Sequence, residues 1–236
     1  MPRAKARAKG ATAVRGADAG FLLAAAFVVA LNLVPHGEIA LYPLAVFTTW
    51  VHELSHAIAA IALGADMNGL LVRPDTSGLA TYAFDPSSFG TISRAIVASA
   101  GYLGAALAGA GLLAAGRTPR LHRPVLASLG FLLVASTILW VRTAFGIVVL
   151  PAIAVALGVV ALRRSPAAAR WALWALGLQT SLNAVLDIRA LYYVRAESDA
   201  VTMSRVVGLP AAFWATLWLA VGGFVVIRAA LRAARA

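Results

Sequence analysis

Seven runs of about 20 predominantly apolar residues constrain this chain most, because a bilayer's hydrocarbon core takes about 20 helical residues to cross. They lie at about 19–35, 40–64, 91–116, 122–141, 144–162, 169–193 and 210–230. Lipid offers a peptide group no hydrogen bond, so each run must satisfy its own backbone as a helix. Hydrophobic residues make up 61% of the chain and charged ones 12%, with a mean hydropathy of +0.86, far from the balance of a soluble domain. The expectation is an all-α polytopic membrane protein with about seven transmembrane helices. A basic tail, 1–18, precedes a single transmembrane domain over 19–236, whose core is about 41–210. Connections are short and no internal repeat is apparent.

The net charge of +11 raises the question of nucleic acid, but its distribution answers against it. Arginines and lysines collect before Gly20, at Arg117, Arg120 and Arg123, at Arg163, Arg164 and Arg170, and in the last nine residues. Those are the ends of apolar runs, where basic side chains meet lipid headgroups. The basic and aromatic residues do not interleave as a base-stacking surface requires. The expected partners are the lipid bilayer and no nucleic acid; the oligomeric state is not legible. The basic tail favours a cytoplasmic start, yet alternation through seven spans puts the arginine-bearing turns on sides that do not all agree. The first run resembles a signal sequence, but no small-residue cleavage signal follows Val34, so an uncleaved anchor is expected.

Inside the second run stands His52-Glu53-Leu54-Ser55-His56. Residues four apart share one helix face, so both imidazoles can reach a single Zn2+ ion, and the adjacent glutamate can take a proton from zinc-bound water. A carboxylate and two imidazoles in an apolar helix are costly and mark function by default. The competing account is a histidine pair satisfied by helix–helix hydrogen bonds. With no cysteine in the chain, only histidine and carboxylate remain as ligands.

Catalytic zinc usually has three protein ligands and one open position. His36 and His122 fall at predicted helix ends, away from a mid-helix site, and suit the interface. Of the carboxylates other than Glu53, only Asp187 lies within an apolar run, in a stripe with Gln179 and Asn183 at four-residue spacing and Thr180 on its flank. The stripe reads either as the wall of a metal site, with Asp187 as third ligand, or as a polar seam between helices, with Asp187 paired to Arg189. Three spans separate the two helices, so they run in the same direction and bring His56 and Asp187 to similar depth.

Other segments add detail. Leu70–Phe84 alternates around Pro74-Asp75-Thr76-Ser77-Gly78 and reads as a short β-hairpin after the histidine helix, serving either as a strand-addition edge or as a plain loop. Gly101, Ala105 and Gly109 form a small-residue face suited to packing against the histidine helix. Thr48, Thr49, Ser55, Gln179, Thr180 and Asn183 are candidates to line a polar cavity, or to bond their own helix backbones. Tyr102 suits the interface or lipid better than the site. Ser198 suits a helix N-cap, and Asp199 the first turn of the same helix.

In its motifs the chain resembles the M50 peptidases, the site-2-protease family of intramembrane zinc metalloproteases, most closely the M50B-like branch. The resemblance rests on His52-Glu53-Leu54-Ser55-His56-Ala57, the polar insert Gly69–Ala83, Ser99-Ala100-Gly101-Tyr102-Leu103-Gly104 and Asn183-Ala184-Val185-Leu186-Asp187. It implies His52, His56 and Asp187 as zinc ligands, Glu53 as general base, and Asn183 as a substrate-positioning residue. The Asp199-Ala200 pair also resembles a family pattern, though capping is the reading taken for it here. The chain departs from better-known members in having Ile188 where they have glycine and no prolines before the aspartate. The short loop after the third span leaves no room for a PDZ domain.

The resemblance implies an integral membrane protein of a bacterial cell membrane. Its expected activity is hydrolysis of peptide bonds in membrane-anchored protein substrates, with Zn2+ as cofactor. Two alternatives are a non-proteolytic scaffold or chaperone-like relative and a metal transporter using the same residues. A scaffold would not need Glu53, and a transporter usually shows inverted repeats or broken helices, which are not apparent.

Overall fold

The computed structural model describes residues 18–87, 89–163, 165–190 and 198–235, with residues 188–190 as backbone alone. The basic tail before Asp18, Arg164 and Glu197 lie outside the described residues, as do the Arg189 side chain and the end of the expected sixth span. Eight helices and one hairpin follow in order: α1 (Ala19–Leu33), α2 (Gly37–Ala62), β1 (Asp66–Val72), β2 (Gly78–Ala83), α3 (Thr91–Gly116), α4 (Pro119–Leu139), α5 (Ala144–Leu162), α6 (Pro166–Ala190), α7 (Asp199–Val207) and α8 (Ala211–Ala233).

Among the described residues, five helices are long and apolar enough to cross a membrane, α2, α3, α4, α5 and α8, against the seven expected. The α1 helix, expected to span, has 15 residues, short of the roughly 20 a crossing takes. The α6 helix has the length, but Arg170, Gln179, Asn183 and Asp187 dilute its apolarity. Large apolar side chains such as Phe131, Ile138, Leu162 and Phe224 stand exposed around the bundle, as they do where the surrounding solvent is lipid.

Helix α2 organises the interior. Val46, Phe47, Trp50, Val51, Leu54 and Ala57 recur at helical spacing and are buried, and the Trp50 indole donates to Ser136 Oγ on α4 at 2.9 Å. The helix stops at Gly64, whose φ of 89° lies in the left-handed region that glycine alone enters freely. Glycines then set the helix spacing. A Cβ at Gly109 would strike Ser181 Oγ, and one at Gly177 would lie 3.0 Å from the Gly109 carbonyl, so α3 and α6 approach to backbone contact.

The hairpin lies inside this frame. Its turn reaches back along α2, where Thr49 and Tyr42 donate to the carbonyls of Thr76 and Pro74, each at 2.6 Å. Asp75 closes the turn by accepting from the Ser77 hydroxyl and amide, donors that hold its carboxyl below the usual range. β1 and β2 pair antiparallel with a bulge between Met67 and Gly69. On its other side β1 meets the α4–α5 turn: Leu70 N–H donates to Trp140 O at 2.7 Å and Arg142 N–H to Leu70 O at 3.1 Å. Thr143 Oγ1 serves the amide and carbonyl of Val72. Both edges of β1 are thereby satisfied, as buried backbone requires.

Candidate metal centre

The motif helix presents His52 and His56 one turn apart, with Nε2 atoms 3.1 Å from each other. Beside them, α7 begins with Ser198 as N-cap, its hydroxyl accepting from Val201 N–H at 3.3 Å. The next residue is Asp199, whose Oδ2 lies 3.1 Å from His52 Nε2 and 3.2 Å from His56 Nε2. Among the described residues these three are the group able to hold a metal ion.

His56 Nδ1 lies 2.7 Å from the Val97 carbonyl. A carbonyl only accepts, so Nδ1 carries the hydrogen, and in the neutral ring Nε2 is left with a lone pair. That lone pair faces a carboxylate oxygen and a second imidazole. Two acceptors at 3.2 Å are satisfied by a hydrogen, which His52 Nε2 can supply, or by a metal ion between them. The near-equal separations of 3.1, 3.1 and 3.2 Å are close to the ~3.4 Å edge of a tetrahedron with ~2.1 Å bonds, so the three donors fit zinc.

The surroundings brace this triangle. A Cβ at Gly101 would overlap both imidazoles, so α3 seats them against bare backbone. Tyr102, expected at the interface, instead meets His52 edge-on, with ring centroids 4.7 Å apart. Glu53 is buried in the same cavity, whose volume is about 590 Å3. Its carboxylate faces the Ala80 backbone, and Gly78 lies so close that an added Cβ would be 2.6 Å from Oε1.

Asp187, expected as the third ligand, lines this cavity but stands outside the His52–His56–Asp199 group. The Thr48 and Thr180 hydroxyls lie 3.4 Å apart, and further along α2 and α6, His52 and Asp187 line one cavity. Asp199, brought back to the site by α7, is the carboxylate that meets both imidazoles. Asn183 does not line the cavity; its Oδ1 accepts from Gln179 Nε2 at 2.7 Å, and Gln179 Oε1 accepts from Asn32 Nδ2 at 3.0 Å. That half of the stripe is a seam to α1.

None of the six expected lining residues is on the cavity wall. Thr48 and Ser55 bond carbonyls of their own helix, and Thr49 holds the hairpin turn. His36 is an exposed helix cap, while His122 is buried with Nε2 2.9 Å from the Gly116 carbonyl. The signal for Asp199 was its place after the Ser198 cap, an acid opening a short helix.

Fold and site together define a helical membrane protein with a paired-histidine, one-carboxylate metal-binding geometry. The chain matches the Peptidase M50B-like family model over residues 22–229 and belongs to that family, which makes it a member of a metallopeptidase lineage. Searches of curated proteins and of solved structures give no match.

Proposed function

We propose that the chain is an intramembrane zinc metalloprotease that hydrolyses peptide bonds of membrane-anchored proteins. The observation that carries this reading is the convergence of His52, His56 and Asp199 donors in one cavity with Glu53. His52, His56 and Asp199 hold the metal, and Asp199 takes the place first expected of Asp187. Bound there, zinc supplies a Lewis acid for the scissile carbonyl and lowers the pKa of water.

The remaining work belongs to the chain. Glu53 accepts a proton from the attacking water as its oxygen bonds to the carbonyl carbon, then delivers that proton to the amine as the C–N bond breaks. The Val97 carbonyl fixes the tautomer of His56. Asp187, on the cavity wall, is left to orient water or the new amine.

Strand geometry supports the choice of an extended polypeptide as substrate. Leu70 and Val72 direct their polar groups to residues 140–143, so their partners Ala80 and Gly78 direct theirs away from β1. That free edge borders the cavity beside Glu53. Backbone unpaired at membrane depth is tolerated where it lines a wet cavity, and it can take a substrate strand by backbone pairing.

Metal analysis of the purified protein tests the ligand assignment. One zinc per chain is expected, retained in Asp187→Ala and lost in Asp199→Ala and His56→Ala. Zinc retained by Asp199→Ala and lost by Asp187→Ala would return the ligand role to Asp187.

A further inference from the structure

Away from the metal centre, α3 and α8 part at the end of the bundle that carries the arginines. The helices meet where a Cβ at Gly222 would lie 3.3 Å from the Ala106 methyl. Beyond that contact they leave a slot of about 820 Å3. Its walls are apolar, formed chiefly by Gly111, Ala114, Phe224 and Val225. No atom lies within 4 Å of a Cβ built on Gly111, so this wall faces open space. The mouth is ringed by Arg117, Arg228 and Arg232.

Among the described residues, no carboxylate lies within ion-pair distance of these arginines. Arg117 Nη2 donates to the Arg235 carbonyl at 3.0 Å, tying the two helix ends together while keeping its charge. Every ion pair among the described residues involves a histidine, and none reaches this mouth. Three cations around one mouth repel each other, and an anion relieves that repulsion. A slot apolar along its walls and cationic at its rim matches a single lipid whose headgroup bears a net negative charge.

We propose that the slot between α3 and α8 binds one anionic phospholipid, its phosphate at Arg117, Arg228 and Arg232 and an acyl chain along Gly111 and Phe224. This does not depend on the peptidase reading. The site ties together the ends of two helices whose other ends flank the metal centre, so its occupancy should also raise the bundle's thermal stability.

Native mass spectrometry of the full-length protein in a non-ionic detergent, with dioleoyl phosphatidylglycerol or dioleoyl phosphatidylcholine added, tests it. One phosphatidylglycerol is expected to bind in preference to phosphatidylcholine. The double variant Arg228→Gln/Arg232→Gln should weaken that binding by about tenfold or more. Gly111→Leu keeps the arginines, fills the slot and should weaken it as well. Arg120→Gln/Arg123→Gln, basic residues on α4 outside the slot, should leave it unchanged. Equal binding of phosphatidylcholine, or equal loss in the α4 control, would overturn the proposal. So would displacement by inorganic phosphate with undiminished binding in Gly111→Leu, which would mark a free-phosphate site. The two slot variants act through different chemistry, so the failure of one to fold leaves the other decisive.

Discussion

At the residue scale, the centre depends on which atoms carry protons. The Val97 carbonyl commits the His56 hydrogen to Nδ1, and Asp199 then faces a lone pair that a metal ion or the His52 Nε2 hydrogen can answer. Glu53 is next to His52 in sequence and outside the group able to hold a metal, which on the proposed mechanism leaves its carboxylate for proton transfer. Glu53→Gln should retain a full complement of zinc while cleavage of a co-expressed membrane substrate falls by about 100-fold or more, the usual range for a lost acid–base group. Cleavage at the wild-type rate would remove Glu53 from the mechanism. Gly101 makes a separate prediction. A valine there must displace the imidazoles or push α3 away, an overpacking cost of roughly 1–3 kcal/mol. Zinc stoichiometry should drop in Gly101→Val, and a variant holding one zinc per chain would show that α3 yields instead.

At the element scale, the hairpin is the part least expected inside a lipid-facing bundle. β1 is acceptable there because β2 on one side and residues 140–143 on the other take its polar groups. β2 has one free edge, and that edge adjoins Glu53. Proline is tolerated on an edge strand where its missing N–H is not part of the ladder, and Ala80 is such a position. Ala80→Pro should therefore keep the fold and the zinc while lowering cleavage about tenfold or more, read as product formed from the same membrane substrate, because it removes both an edge donor and the N–H that meets the Glu53 carboxylate. Unchanged cleavage would assign the edge a structural role. The α6 helix shows how one stripe divides its labour. Gln179 and Asn183 satisfy each other and Asn32, whereas Asp187, one turn later, reaches the cavity.

At the scale of the whole molecule, the described arginines that seemed to conflict share one end, and Arg73, Arg94, Arg142 and Arg205 belong to the hairpin, α3 start, α4–α5 turn and α7 at the other. Arg117 reaches the Arg235 carbonyl, and a cavity there is lined by Asp18, His122 and Arg170 with Arg117 and Arg235. Arg120 and Arg123 open α4 at the same end, and Arg163 caps α5 three residues before α6 begins. The signals agree when α1 is not counted as a full crossing; its start packs beside Trp174 and Arg170, among the same arginines. The positive-inside rule assigns this end to the cytoplasm and leaves the histidine pair in the opposite half. The chain has no cysteine, so single introduced cysteines report position without interference. Ser87→Cys should react with a membrane-impermeant maleimide in intact cells and Ser165→Cys only after permeabilisation. The reverse pattern would invert the assignment.

Much of this protein follows from local rules acting on the sequence. Apolar length dictates helices, because lipid leaves the backbone no other partner. The four-residue spacing of His52 and His56 sets both imidazoles on one face, and the turn residues Pro74 to Gly78 dictate a hairpin. What the sequence alone did not decide was which distant carboxylate meets the histidines. Asp187 and Asp199 are both plausible by composition and chain position, and helix periodicity says nothing about how α7 folds back onto α2. Only the packed bundle brings the first turn of α7 within hydrogen-bonding distance of both Nε2 atoms, because glycines let α3 close on the histidine helix and α7 settles against it through Met203 and Ala200. The same packing joins Gln179 and Asn183 to Asn32 in a seam, and brings Arg117, Arg228 and Arg232 to one cavity mouth.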